Sequence, residues 1–188
     1  MTGIINKTGI ILTGLLVFTA NAFGQEETIT PMKEIPAEYG YTIKIGDKIQ
    51  DFTLTLINGK TVFSKDWTGK VVMLQFNATW SGVCRKAIPF IENEIWLKYK
   101  RNPDFELYGI DRGEPLETVK AFTREVDLSY PFAVDPQAEI FSLFARKDAG
   151  VTRNVIIDKE GKIAFVTRLF KEDEFKQMVV MIEHLLKK

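Results

Sequence analysis

The stretch Val71-Val72-Met73-Leu74-Gln75-Phe76-Asn77-Ala78-Thr79-Trp80-Ser81-Gly82-Val83-Cys84-Arg85 joins a nearly continuous apolar run to the start of a helix, and its reading decides the fold. Val71 to Phe76 lacks the alternation of a half-buried strand. It therefore predicts a central strand covered on both faces, as in a sheet packed between helices. Ser81 is a preferred N-cap residue, and Cys84 falls in the first turn after it. The helix is expected to run to about Lys100, with Ile88, Ile91, Ile95 and Trp96 on one face. Pro89 lies inside it and predicts a kink, because proline has no N–H and crowds the preceding turn.

Working outward, Phe52-Thr53-Leu54-Thr55-Leu56 alternates, Asn58-Gly59 marks a tight turn, and Thr61-Val62-Phe63 returns, which reads as an N-terminal β-hairpin. Ser64 to Trp67 is a short helical turn closed by Gly69. Downstream, Phe105 to Ile110 is the next strand. Glu114-Pro115 reads as a cap and a first helical residue, opening a helix to about Asp127 through Val119, Phe122 and Val126. Phe132 to Val134 is a short strand, and Asp135-Pro136 gives a second cap-plus-proline start for a helix through Ile140 and Phe144. Val151 to Ile157 and Ile163 to Thr167 are strands joined by the turn Lys159-Glu160-Gly161-Lys162. A final helix from Glu172 to Leu186 carries Phe175, Met178, Val179, Ile182, Leu185 and Leu186 at helical spacing. This order predicts an α/β domain with a central mixed sheet flanked by helices on both faces.

The chain has 188 residues, enough for one domain with a substantial core rather than two. Lys plus Arg and Asp plus Glu number 25 each, and no basic stripe is interleaved with aromatics, so nothing points to nucleic acid. The first residues read as a signal peptide over 1–24. Lys7 precedes the apolar run Gly9 to Phe18, Ala20-Asn21-Ala22 is a small-x-small cleavage pattern, and cleavage after Ala22 or Gly24 fits. The run is too short for a comfortable membrane span, an uncleaved anchor being the alternative. Residues 25–43, polar and without sustained periodicity, read as an N-terminal tail, and 44–188 as the domain. The expected location is the periplasm or another exported compartment, with no stable membrane span after cleavage.

Cys84 is the only cysteine, so an internal disulfide is excluded. It is either a buried inert thiol or one that pairs with another molecule. His184, the sole histidine, lies in the last helix, far in sequence from the motif, and no metal or cofactor site is indicated.

A buried strand ending in Ala78-Thr79-Trp80, a cysteine in the first helical turn and a proline inside the helix together resemble the thioredoxin-like superfamily. Within it the chain resembles the exported TlpA-type thiol-disulfide oxidoreductases, which overlap with the AhpC/TSA redoxin grouping. Gly46-Asp47-Lys48-Ile49-Gln50-Asp51-Phe52, Val134-Asp135 and Val155 to Ile163 match as well, so the resemblance spans about Ile45 to Lys187. It implies a thioredoxin-like fold and places the family's attacking cysteine at Ser81 and its resolving cysteine at Cys84. A serine at a helix N-terminus caps well but ionises far less readily than a thiol and forms no disulfide. Glu114 matches an acidic residue that relatives place near the thiols for proton transfer, while as a cap it would simply lead its own helix. The resemblance further implies a substrate groove at Trp80, Gly82, Val83, Thr152 and Arg153. Relatives carry a cis-proline where this chain has Thr152, and a trans peptide is expected there. Ala87 stands where many relatives have a glutamate. The expected function is a thiol-disulfide oxidoreductase of reduced, single-cysteine activity through Cys84, acting on protein thiol or disulfide clients or a redox partner protein. The alternatives are a redox-inactive binding module for polypeptide and a one-cysteine peroxidase, the latter because Thr152-Arg153 is reminiscent of peroxiredoxin-like members.

Overall fold

Strand β3, Val71–Asn77, is buried at every position, as its unbroken apolar pattern predicts. A computed structural model describes residues 32–188, and the expected signal peptide over 1–24 lies outside the described residues. The other strands are β1 (Thr53–Leu56), β2 (Thr61–Phe63), β4 (Phe105–Arg112), β5 (Phe132–Asp135), β6 (Arg153–Ile157) and β7 (Ile163–Arg168). They form one seven-stranded sheet in the order β2-β1-β5-β4-β3-β6-β7. The β3, β4 and β5 strands are parallel to one another, and the remaining pairings are antiparallel. The expected mixed α/β sheet with an N-terminal hairpin is the observed one.

Alternation along β3 divides the core in two. Val72, Leu74 and Phe76 face a cluster with Trp67, Phe141, Phe144 and Val155. Val71 and Met73 face the opposite cluster, built from Ile88, Ile91, Ile95, Val119, Phe122, Phe175, Met178 and Ile182. Helices α1 (Gly82–Phe90), α3 (Leu116–Glu125) and α5 (Glu172–Lys187) cover this second face, and α4 (Glu139–Phe144) covers the first.

The disruption expected at Pro89 takes the form of a π-helical stretch, Ile91–Trp96, between α1 and the short α2, Leu97–Tyr99. Asn93 Nδ2 donates to the Pro89 carbonyl at 2.8 Å. A wider turn behind the proline lets the helix continue where an α-helical ladder would lack its N–H.

Two expected helix starts are displaced. Helix α3 begins at Leu116, because Pro115 has an extended backbone (ψ 150) and Glu114 makes no cap for it. Helix α4 begins at Glu139, after Pro136, and the Asp135 carboxylate still caps it by accepting from the Glu139 and Phe141 amides, both at 2.8 Å. Strand β6 begins at Arg153 rather than Val151, leaving Val151 and Thr152 in a loop at the end of the sheet.

The described part of the N-terminal segment is packed onto the domain. Met32, Ile35, Tyr41 and Ile43 lie against the first core cluster. Gly40, in the left-handed region at φ 72, turns the chain so that Tyr41 bridges Ala145 and Thr42 N–H reaches the Phe144 carbonyl at 2.9 Å.

Candidate functional site

Strand β3 ends under the start of α1, and this junction gathers Ser81, Cys84 and Thr152. Ser81 caps α1: its Oγ accepts from the Cys84 N–H at 3.3 Å. The same hydroxyl lies 3.2 Å from Thr152 Oγ1, and Cys84 Sγ lies 3.0 Å from that oxygen. Thr152 thus bridges the two positions where two sulfurs are expected. Cys84 is completely buried, whereas Trp80 is 70% exposed and Gly82 and Val83 form an exposed lip beside it. Arg153, expected in the groove, is instead fully buried behind Thr152. No described peptide bond is cis, so the peptide before Thr152 is trans as expected.

Glu114 holds the motif from the other side. Its Oε2 accepts from the Thr79 N–H and its Oε1 from the Thr79 hydroxyl, both at 2.6 Å. The backbone entering Ser81 is therefore fixed by a carboxylate that sequence reasoning offered either as a cap or as a proton carrier. Arg85 closes the ring by donating its Nε–H to the Thr79 carbonyl at 2.9 Å and pairing with Glu125.

Beneath Glu114 sits Asp111, fully buried at the end of β4. Asn77 Nδ2 donates to its Oδ2 at 3.2 Å, and its Oδ1 has no protein partner. Burial, and then the Glu114 carboxylate beside it, push the Asp111 carboxyl up to about 7, against a smaller opposing effect of the Asn77 hydrogen bond. Charging both carboxyls in so little water is unfavourable, so this corner of the site holds a proton near neutrality. Nothing in the sequence singled out Asp111, since it closes an apolar strand and looks like an ordinary strand-end acid.

Three arginines hold the Thr152 loop. Arg112 Nη1 donates to the Ala149 carbonyl at 2.8 Å, Arg153 Nη2 to the Gly150 carbonyl at 2.5 Å, and Arg168 Nη1 to the Thr152 carbonyl at 3.2 Å. The Arg153 guanidinium lies over the rings of Tyr41 at 4.5 Å and Phe141 at 5.1 Å. Its burial lowers its affinity for the proton. The structure thus brings together Ser81, Cys84, Thr152, Trp80 and Glu114. His184 is half-buried in the last turn of α5.

Comparison with known proteins agrees with this architecture. Residues 44–182 match the Redoxin family. The thiol-disulfide oxidoreductase ResA of Bacillus cereus (strain ATCC 10987 / NRS 248) is 31% identical over 95% of this chain and 91% of its own length. A solution structure of a candidate protein disulfide isomerase from Bacteroides thetaiotaomicron superposes with a TM-score of 0.78 at 55% identity, covering 80% of this chain and 94% of the other. A candidate thiol:disulfide interchange protein DsbE from Chlorobium tepidum gives a TM-score of 0.66 at 26% identity, over 77% of this chain and 99% of its own. The chain belongs to the Redoxin family, among thioredoxin-fold thiol-disulfide oxidoreductases, and departs from the pattern of its relatives at Thr152.

Proposed function

We propose that this protein is a cell-envelope thiol-disulfide oxidoreductase of reduced competence that works through one sulfur, Cys84. The carrying observation is the contact of Cys84 Sγ with Thr152 Oγ1 at 3.0 Å, at the head of a helix beside the exposed Trp80. In the proposed step the Cys84 thiolate attacks one sulfur of a partner disulfide. The partner's S–S bond breaks, a Cys84 mixed disulfide forms, and the departing thiolate takes a proton from water. The Thr152 hydroxyl is placed to donate to the thiolate. Ser81 takes the position of the attacking sulfur, caps the helix and supplies no second thiol, so release of the partner requires a thiol from another molecule. Glu114 serves this step by fixing Thr79. Exposed Trp80, Gly82 and Val83 form the face that meets the partner. The apolar stretch before Ala20-Asn21-Ala22 supports export to the cell envelope.

The test uses an aromatic disulfide reagent that releases a coloured thiolate. The native chain is expected to release one equivalent more slowly than the chain in denaturant, since the buried sulfur must first be uncovered. Cys84→Ser should release none. Ser81→Cys, which places a second thiol at the helix N-terminus at a position 8% exposed where Cys84 is fully buried, should speed release by at least about tenfold. No release from the native chain would refute the proposal.

A second reading is favoured by the complete burial of Cys84 next to the exposed Trp80. The same face would then hold extended polypeptide without covalent capture. Binding of an unfolded client that survives Cys84→Ser supports this reading, and its loss in that variant supports the first.

A further inference from the structure

Three guanidinium groups meet at the loop that carries Thr152. They come from the end of β4, the start of β6 and the end of β7, and each donates to a carbonyl between Ala149 and Thr152. The approach is close: Gly150 has no side chain, and a Cβ there would lie 2.0 Å from Arg168 Nη2. Among the described residues, none of the three has a carboxylate within ion-pair distance. Arg85, Lys98, Lys120 and Lys171, by contrast, are all paired. Arg153 is fully buried, and its Nη1 has no hydrogen-bond partner among the described residues.

The carboxylates nearby offset this charge only in part. Glu174 is engaged by Lys171 and by the Arg168 main-chain amide, whereas Glu114 accepts only from the neutral Thr79 donors and keeps its charge on the other side of the motif. Asp111, whose carboxyl titrates at about 7, carries only part of a negative charge at neutrality. Carbonyl oxygens satisfy hydrogen-bond donors, but they leave the net charge in place. The side chains of Arg112 and Arg168 are only half-buried, so the excess positive charge is felt at the surface. It lies one residue from the sulfur, because Arg168 binds the Thr152 carbonyl and the Thr152 hydroxyl touches Cys84.

We infer that Arg112, Arg153 and Arg168 make the Cys84 site selective for anionic partners, namely disulfides or thiols that carry a carboxylate near the sulfur. This rests on the proposal that Cys84 is reached in the native protein. A cleft with one sign of charge raises the local concentration of the opposite sign, and salt weakens the effect. The chain as a whole, with 25 basic and 25 acidic residues, supplies no such bias.

The experiment compares alkylation of Cys84 by iodoacetate, an anion, with alkylation by neutral iodoacetamide. In both reactions the thiolate displaces iodide and forms a thioether, so no partner thiol is needed. Each native rate is divided by the rate of the same reagent on the chain in urea, which removes intrinsic reactivity. At low salt the normalised iodoacetate rate is expected to exceed the iodoacetamide rate by roughly three- to tenfold, falling toward parity at high salt. Arg168→Gln and Arg112→Gln should each reduce the ratio, and the salt dependence of the unsubstituted chain stands even if a variant folds poorly. Equal, salt-independent normalised rates overturn the inference alone. Absence of native alkylation by both reagents overturns it together with the mixed-disulfide proposal.

Discussion

Asp111→Asn should make the protein more stable at pH 8 and remove a pH dependence that the unsubstituted chain carries. In the folded state the Asp111 carboxyl titrates at about 7, against an ordinary value of 3.8. Between those values the folded chain holds a proton that the unfolded chain has lost. Stability therefore falls as pH rises through this window, by up to about 1.4 kcal/mol per unit, and the loss is complete above the folded value. Roughly three units give roughly 4 kcal/mol as an upper figure, reduced if Glu114 swings away from the new charge. Asparagine fits the pocket: its Oδ1 can accept from Asn77 Nδ2, and its amide can face Glu114. Urea unfolding followed by tryptophan fluorescence, at half-unit steps from pH 4.5 to 8, measures both chains. The difference in stability, variant minus parent, should be small at pH 4.5 and grow to a few kcal/mol by pH 8. A difference that is the same at every pH would refute the assignment of a raised carboxyl to Asp111.

Glu114→Gln replaces two carboxylate acceptors by one amide oxygen and sets an NH2 against a Thr79 donor. It should cost about 1–3 kcal/mol in urea unfolding and speed hydrogen exchange at the Thr79 amide. It should also lower the Asp111 titration by removing its neighbouring charge. Gly109→Ala would place a Cβ 2.1 Å from the Phe132 ring, which is buried across the β4–β5 pairing. Overpacking of this kind should cost about 1–3 kcal/mol or more in denaturant unfolding, and adding Phe132→Leu should recover part of the loss.

Elements whose cause is local were readable from sequence. The unbroken run Val71 to Phe76 gave a strand buried on both faces, Asn58-Gly59 gave a hairpin, and the spacing of Phe175, Met178 and Ile182 gave the last helix. Ser81 was readable as a cap for the same reason, since its hydrogen bond reaches only three residues ahead. The misplacements arose where a distant partner overrides a local preference. Glu114-Pro115 has the residues of a helix start, but Glu114 is drawn to Thr79, 35 positions away, and Pro115 stays extended. Thr152 reads as strand, yet its carbonyl is bound by Arg168 and the Leu169 amide, which holds it in the loop. Asp111, Arg112, Arg168 and Tyr41 belong to the site's support only because the sheet brings chain ends together, and no periodicity carries that information. Residues 32–43 lack an apolar repeat because a segment docked along one edge of a core needs single anchors, of which Tyr41 is one.

Tyr41 also separates two meanings of a domain boundary. The Redoxin match begins at residue 44, whereas the packed unit reaches back past it. The Tyr41 ring closes one side of the box around the Arg153 guanidinium, and its single hydroxyl proton is shared between the Thr167 carbonyl at 2.7 Å and the Asn154 carbonyl at 3.0 Å. Proteolytic trimming that spares Tyr39 and Tyr41 leaves this seal whole. Trimming to residue 44 would keep the whole Redoxin match, yet admit water to a buried cation and loosen the loop that carries Thr152. The order of a site more than a hundred residues downstream thereby depends on a side chain that precedes the family match.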